Sequence, residues 1–185
     1  MQYRKHYIPL DSNPQLFTQL ARELGLSNAL AFHDVLSIKD PELLALVPRP
    51  ALALILVFPT SPTYEALIAE GDRGGPRSQD VMWYKQTINN ACGLYGILHA
   101  ISNGDSRDFV GKNDFPQKRH EPPMECSNVV SLCVAVRSTE VEQLNVAYEA
   151  VALQGNSEVP ANPEDEIDFH YVCFVKSNKT ITSTS

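Results

Sequence analysis

The chain of 185 residues is short of everything a membrane protein needs. Its greasiest run, Ala51 to Phe58 (ALALILVF), spans eight residues, whereas a membrane-crossing helix takes about 20. The opening, MQYRKHYIPL, lacks the apolar stretch of a secretory leader. Cysteine is scarce and scattered: Cys92, Cys126, Cys133 and Cys173 form no CxxC pair. Two disulfides are possible on count alone, but without an export signal reduced thiols are expected. No Cys or His residues fall at zinc-finger spacing, so no metal is expected. Basic charge is also in deficit, 15 Lys and Arg against 22 Asp and Glu, a net −7. With the cations scattered, nucleic-acid binding is not expected. What remains is a soluble protein of the cytoplasm or nucleus, expected as a monomer without a cofactor.

Residues that are 43% apolar and 20% charged suffice for a sizeable core. Residues 1–176 read as a single domain and 177–185 as a Ser/Thr-rich tail. Tyr7 to Pro9 reads as a short strand. Asn13-Pro14 is an N-cap followed by a proline whose missing N–H costs nothing. Leu16, Leu20 and Leu24 follow on one helix, which Gly25 stops. Ala31 to Val35 reads as a strand, Asp40-Pro41 opens a short helix to Leu46, and Ala51 to Phe58 reads as a central strand buried on both faces. Ser61-Pro62 starts a helix to Ala69, and Gly71 to Asp80 is a linker. Cys92 to Ser102 is an apolar helix. Thr139 and Glu142 form a capping box for a helix with Val141, Leu144, Tyr148 and Val151 on one face. Gln154 to Glu166 is a polar loop and Ile167 to Val175 a second, central strand. The mixture is α+β.

Chemistry concentrates in Gln86 to Ser102, QTINNACGLYGILHAIS. Cys92 sits where a polar loop becomes an apolar helix. The first backbone N–H groups there lack partners and carry partial positive charge. They are expected to push the thiol towards the thiolate that attacks carbonyls, and to hold the oxygen that turns anionic. Gln86, six residues upstream, is a candidate second donor.

Such a nucleophile needs a base. His99 lies two turns along the same helix, about 10 Å away along the axis, too far for a hydrogen bond, so it reads as a packing residue. His6, His33 and His120 read as solvent-facing or locally bonded. His170 differs because it interrupts a buried strand, sharing a face with Asp168, Val172 and Phe174.

Gln86, Asn90-Ala91-Cys92-Gly93 opening a helix, and His170 in a late strand resemble the ubiquitin C-terminal hydrolase family of cysteine proteases. YIPLDSNP (Tyr7 to Pro14), DPELLALVPRPALALILVFP (Asp40 to Pro59), YEAVALQGNSEVP (Tyr148 to Pro160) and DFHYVCFV (Asp168 to Val175) resemble further blocks of that family, in order. The resemblance implies a papain-like, knotted antiparallel sheet flanked by helices. It implies Cys92 as nucleophile, His170 as general base and acid, and Gln86 with the Cys92 N–H as oxyanion hole. The partner would be ubiquitin or a ubiquitin-like protein. Small adducts or short peptides would be cleaved from its C-terminal glycine through a thioester, with Gln154 to Glu166 crossing over the site.

Two stretches depart from the family pattern. The third triad member, an Asp in a segment resembling LYELDG, has no counterpart in KSNKTITSTS after His170. The catalytic Asp segment and last strands are therefore expected to be missing, leaving the histidine strand with an unpaired edge. The alternative function is then a catalytically impaired ubiquitin-binding fragment. Asp168 is too far along its own strand to substitute, and Asn178 could do so only if the tail folded back. The second departure is Ser106 to Arg137, where Pro116, Pro122 and Pro123 forbid a continuous helix and Val129 to Val136 is β-prone. Retained intron sequence and an early stop would account for both.

Overall fold

The computed structural model describes residues 5–69, 81–111, 142–157, 162, 169–176 and 181–184. Local capping chemistry starts three of its helices. Helix α1 (Pro14–Glu23) begins at Asn13, whose side chain accepts from the Gln15 N–H. It ends at Gly25, where φ of 96° suits only a residue without a Cβ. Asp40 caps α2 (Pro41–Ala45) through the N–H groups of Glu42 and Leu43. The Ser61 hydroxyl accepts from the Tyr64 N–H at the start of α3 (Pro62–Ala69). Helix α4 (Cys92–Ser102) is buried along its whole length. A 3-10 helix (Gly104–Phe109) follows it, and α5 (Glu142–Ala152) comes later.

Three antiparallel strands form one sheet in the order β1 (Ala53–Pro59), β2 (Phe169–Lys176), β3 (Ile181–Thr184). Ala53 pairs with Val175 and Pro59 with Phe169. Tyr171, Cys173 and Val175 are buried on one side of β2. Helix α4 packs there: a Cβ on Gly93 would lie 3.2 Å from Leu10 Cβ, tighter than ordinary contact, whereas one on Gly96 would lie 3.7 Å from Ile55 Cγ2, an ordinary distance. The main core joins α1, α4 and α5 around Leu20, Leu94, Ile97, Leu98 and Tyr148. Tyr148 stacks on Tyr7 and donates to the Ile8 carbonyl at 2.7 Å.

Several expectations are corrected. Tyr7 to Pro9 is not a strand; a single parallel bridge joins His6 to Asn89. Ala31 to Val35 makes no ladder, because Phe32 turns inward, packing edge-on against Phe17 while its N–H bonds Thr18 Oγ1. The apolar run ending at Phe58 is not buried on both faces. Among the described residues β1 is an edge strand, with Leu54 and Leu56 44% and 47% exposed. The histidine strand does not keep the expected unpaired edge throughout, since Ile181–Thr184 of the Ser/Thr-rich tail form β3, which pairs Thr184 with Cys173 and Ile181 with Lys176. The edge of β2 is therefore covered over Cys173 to Lys176, and among the described residues Phe169 to Val172 pair in the sheet with β1 alone. The Gly71 to Asp80 linker, Thr139 and Val141, Cys126 and Cys133, His120, Val129 to Val136, Asp168 and Asn178 lie outside the described residues.

Candidate active site

Cys92 is the first residue of α4, buried, after a turn in which Asn90 takes a φ of 58°. Asparagine tolerates that left-handed conformation better than other side-chain-bearing residues. The helix N-cap is Ala91, which offers no side-chain acceptor. The first amides are thus left for another acceptor. The thiol takes that place, where the N–H groups of Gly93 and of Cys92 itself act to lower its pKa.

The loop before the helix is pinned from both sides. The N–H of Thr87 donates to the Tyr95 hydroxyl at 3.1 Å. Asn89 exchanges backbone bonds with the N-terminal segment: Tyr7 N–H to the Asn89 carbonyl at 3.0 Å, and Asn89 N–H to the Lys5 carbonyl at 2.9 Å. Its side chain also meets His6 Nδ1 at 3.1 Å. His6 is thus bonded to a residue distant in sequence rather than locally, while His33 is exposed. Gln86 Nε2 donates to the Ile88 carbonyl at 3.0 Å. This bond orients the amide within the loop and leaves its second proton for another acceptor.

The structure brings β2 to Cys92 at the residue after His170, where the Tyr171 N–H also stabilises the thiolate. The His170 ring packs against Phe58, its cross-strand partner, and Tyr64 on α3, with centroids 5.9 and 5.5 Å away. Tyr64 in turn lies close enough to the thiol for a Cys92 charge to raise its pKa, after the larger effect of burial. Cys92, His170 and Tyr64 therefore converge at one end of the sheet, with Gln86 on the adjoining loop. Sequence reasoning missed Tyr64; its signal was an aromatic on the first turn of the helix after Phe58-Pro59.

The electrostatics correct one expectation. Burial pushes the Cys92 thiol above its ordinary value, and the three N–H groups that pull it down do not overcome this. Burial likewise lowers His170. The resting pair is neutral thiol and neutral imidazole, and no hydrogen bond joins them among the described residues. A neutral imidazole is able to accept a proton. His99 is a satisfied core histidine: buried, accepting from the Tyr84 N–H at 2.9 Å, and lowered to about 4 by burial. Among the described residues no group of three or more His, Cys, Asp or Glu could hold a metal, and no helix is long and apolar enough to cross a membrane. Of the loop from Gln154 to Glu166, residues 154–157 and 162 are described; Asn156 N–H bonds Asp11 Oδ2 at 3.1 Å.

A buried cysteine opening a helix that packs on an antiparallel, histidine-bearing strand belongs to the papain-like α+β cysteine peptidases. Within that class, residues 7–183 match the family model described as "Ubiquitin carboxyl-terminal hydrolase, family 1". The chain belongs to this family of deubiquitinating cysteine hydrolases. It is 35% identical over 175 residues to ubiquitin carboxyl-terminal hydrolase YUH1 of Saccharomyces cerevisiae, covering 92% of this chain and 70% of that one. It is 34% identical to a ubiquitin carboxyl-terminal hydrolase of Aplysia californica, covering 98% and 82%. The fold resembles the Trichinella spiralis UCH37 catalytic domain, a structure bound to ubiquitin vinyl methyl ester, with a TM-score of 0.66 at 18% identity, covering 99% and 75%. The family match is a single span that takes in Ser106 to Arg137 and β3 as far as Ser183.

Proposed function

We propose that Cys92, His170 and Gln86 are the catalytic machinery of this hydrolase, and that it releases small adducts or short peptides from the C-terminal glycine of ubiquitin. The observation that carries this reading is the meeting of the α4 N-terminus with β2 at the His170–Tyr171 step. His170 takes the Cys92 proton as sulfur attacks the glycine carbonyl carbon. The oxygen that becomes anionic is held by the Cys92 N–H and the free proton of Gln86 Nε2. His170 then protonates the leaving amine as the C–N bond breaks. Water, deprotonated by His170, hydrolyses the thioester and frees the ubiquitin carboxylate. The protein is taken to act as a monomer in the cytoplasm or nucleus.

The test is reaction of the purified chain with ubiquitin carrying a C-terminal thiol-reactive warhead, with Cys92→Ala as control. Labelling that vanishes in the variant is the expected result. Binding of ubiquitin without labelling would replace catalysis by a ubiquitin-binding role.

A further inference from the structure

We propose that Tyr64 is a positioning residue for His170: with Phe58 it forms an aromatic wall that fixes the plane of the imidazole at the end of β2 where Cys92 stands. The inference rests on the assignment of Cys92 and His170 as the reacting pair. An imidazole on a strand rotates easily about its second torsion, whose preferences are broad, so something must hold one nitrogen towards the sulfur. Among the described residues no hydrogen bond to His170 does so. Ring packing does. Phe58 meets His170 edge-on, at 72° and 5.9 Å, and Tyr64 meets it at 40° and 5.5 Å. Phe58 and Tyr64 brace each other at 81° and 5.0 Å. All three separations fall in the range where aromatic rings attract beyond simple burial.

The wall is itself anchored. Phe58 is held opposite His170 by the β1–β2 register. The Tyr64 backbone is fixed by the Ser61 hydroxyl, which accepts its N–H at 3.2 Å. When His170 takes the Cys92 proton it becomes a cation, and a ring centroid 5.5 Å away lies within reach of cation–π attraction. Both effects belong to the π-face of Tyr64, not to its hydroxyl. Among the described residues, the titratable groups at this end are Tyr64 from α3, whose ring meets His170, and Cys92 from α4, which lies within charge reach of Tyr64.

The experiment compares Tyr64→Phe, Tyr64→Leu and Tyr64→Met in the full chain. It reads kcat and KM on a ubiquitin C-terminal amide with a fluorogenic leaving group, and the His170 imidazole proton resonances of the free protein. Tyr64→Phe should keep kcat within about twofold and the imidazole resonances near their wild-type place. The Leu and Met variants should lower kcat about tenfold, leave KM within about twofold, and shift those resonances as the ring current is lost. Undiminished kcat in the Leu and Met variants overturns the proposal, as does a loss carried by KM or a Phe variant as slow as the Leu one. Should neither non-aromatic variant fold, wild-type imidazole protons without a ring-current displacement overturn it. Failure of the underlying assignment looks different: His170→Asn would then keep the wild-type rate.

Discussion

The two ends of α4 hold their polar groups in opposite ways. Towards the C-terminus everything is spoken for. His99 accepts from Tyr84, the Tyr84 hydroxyl donates to Ser102 at 2.9 Å, and Asn103 Nδ2 donates to the carbonyls of His99 and Met82, each at 2.9 Å. Ser106 Oγ donates to the Asn103 carbonyl at 2.6 Å. At the N-terminus the cap has no side-chain acceptor and the amides converge on a thiol. One helix thus carries a histidine that serves structure and a cysteine on which backbone amides converge. Satisfied polar groups fix a fold, and donors held for a developing anion provide chemistry.

The contrast is sharpest in its largest predicted effects. Cys92→Ala should abolish hydrolysis, measured on the fluorogenic ubiquitin amide, while leaving thermal stability close to wild type. His170→Gln should cost about 10² to 10⁴ in kcat, as loss of a general base does. Gln86→Ala should cost about 10² to 10³, as loss of one oxyanion donor does. If Gln86→Ala instead acts through KM alone, its bond to Ile88 marks a loop brace and not a donor.

His99 should behave in the reverse manner. With its folded pKa lowered to about 4 from 6.5, it resists protonation in the native state while the unfolded chain takes up the proton. The associated stability is therefore fully present above pH 6.5 and is lost as pH falls towards 4, by about 3 kcal/mol. Denaturant melts of wild type and His99→Leu across pH 4 to 7 check this. The variant should lose the histidine's share of the pH slope, and near neutrality it should be destabilised by about 1 to 3 kcal/mol because the Tyr84 N–H loses the His99 acceptor. The kinetic counterpart concerns Cys92 and His170. Alkylation of Cys92 by iodoacetamide should rise with pH through a midpoint above the ordinary thiol value. The acid limb of kcat/KM should fall below that of an unperturbed imidazole, measured as a pH–rate profile.

What the sequence discloses follows the range over which each feature is decided. Asn13, Asp40 and Ser61 announce helices because a cap acts on amides two or three residues away. Cys92 to Ser102 was legible to the residue, being apolar throughout and preceded by a polar loop. The exposure of Leu54 and Leu56 was not, because a continuous apolar run reads alike whether or not the open face is covered. Nor was β3, whose Ile-Thr-Ser-Thr composition needs a partner strand to reveal it. The sign of the thiol's pKa shift escaped for the same reason: the amides that lower it are mostly local, and the burial that outweighs them comes from the packed core. Tyr64 and His170 lie more than a hundred residues apart, so their contact becomes visible only when the sheet closes.

The smallest effect tests the two ends within α4 itself, at its glycines. A methyl on Gly96 would meet Ile55 Cγ2 at 3.7 Å and Tyr171 Cβ at 3.8 Å, ordinary contact distances. Alanine loses less backbone freedom than glycine on entering a helix, so Gly96→Ala should stabilise by about 0.5 to 1 kcal/mol. At Gly93 a methyl would press on Leu10 Cβ at 3.2 Å, and Leu10 is held because its carbonyl accepts the Tyr171 hydroxyl at 2.7 Å. Relief there must move either that segment or the start of α4, where Cys92 is placed. Gly93→Ala should therefore forfeit the helix gain and lower kcat, while Gly96→Ala raises the melting temperature and leaves kcat alone. Equal behaviour of the two variants in melting and kinetics would mean that the first turn of α4 tolerates displacement as readily as its middle.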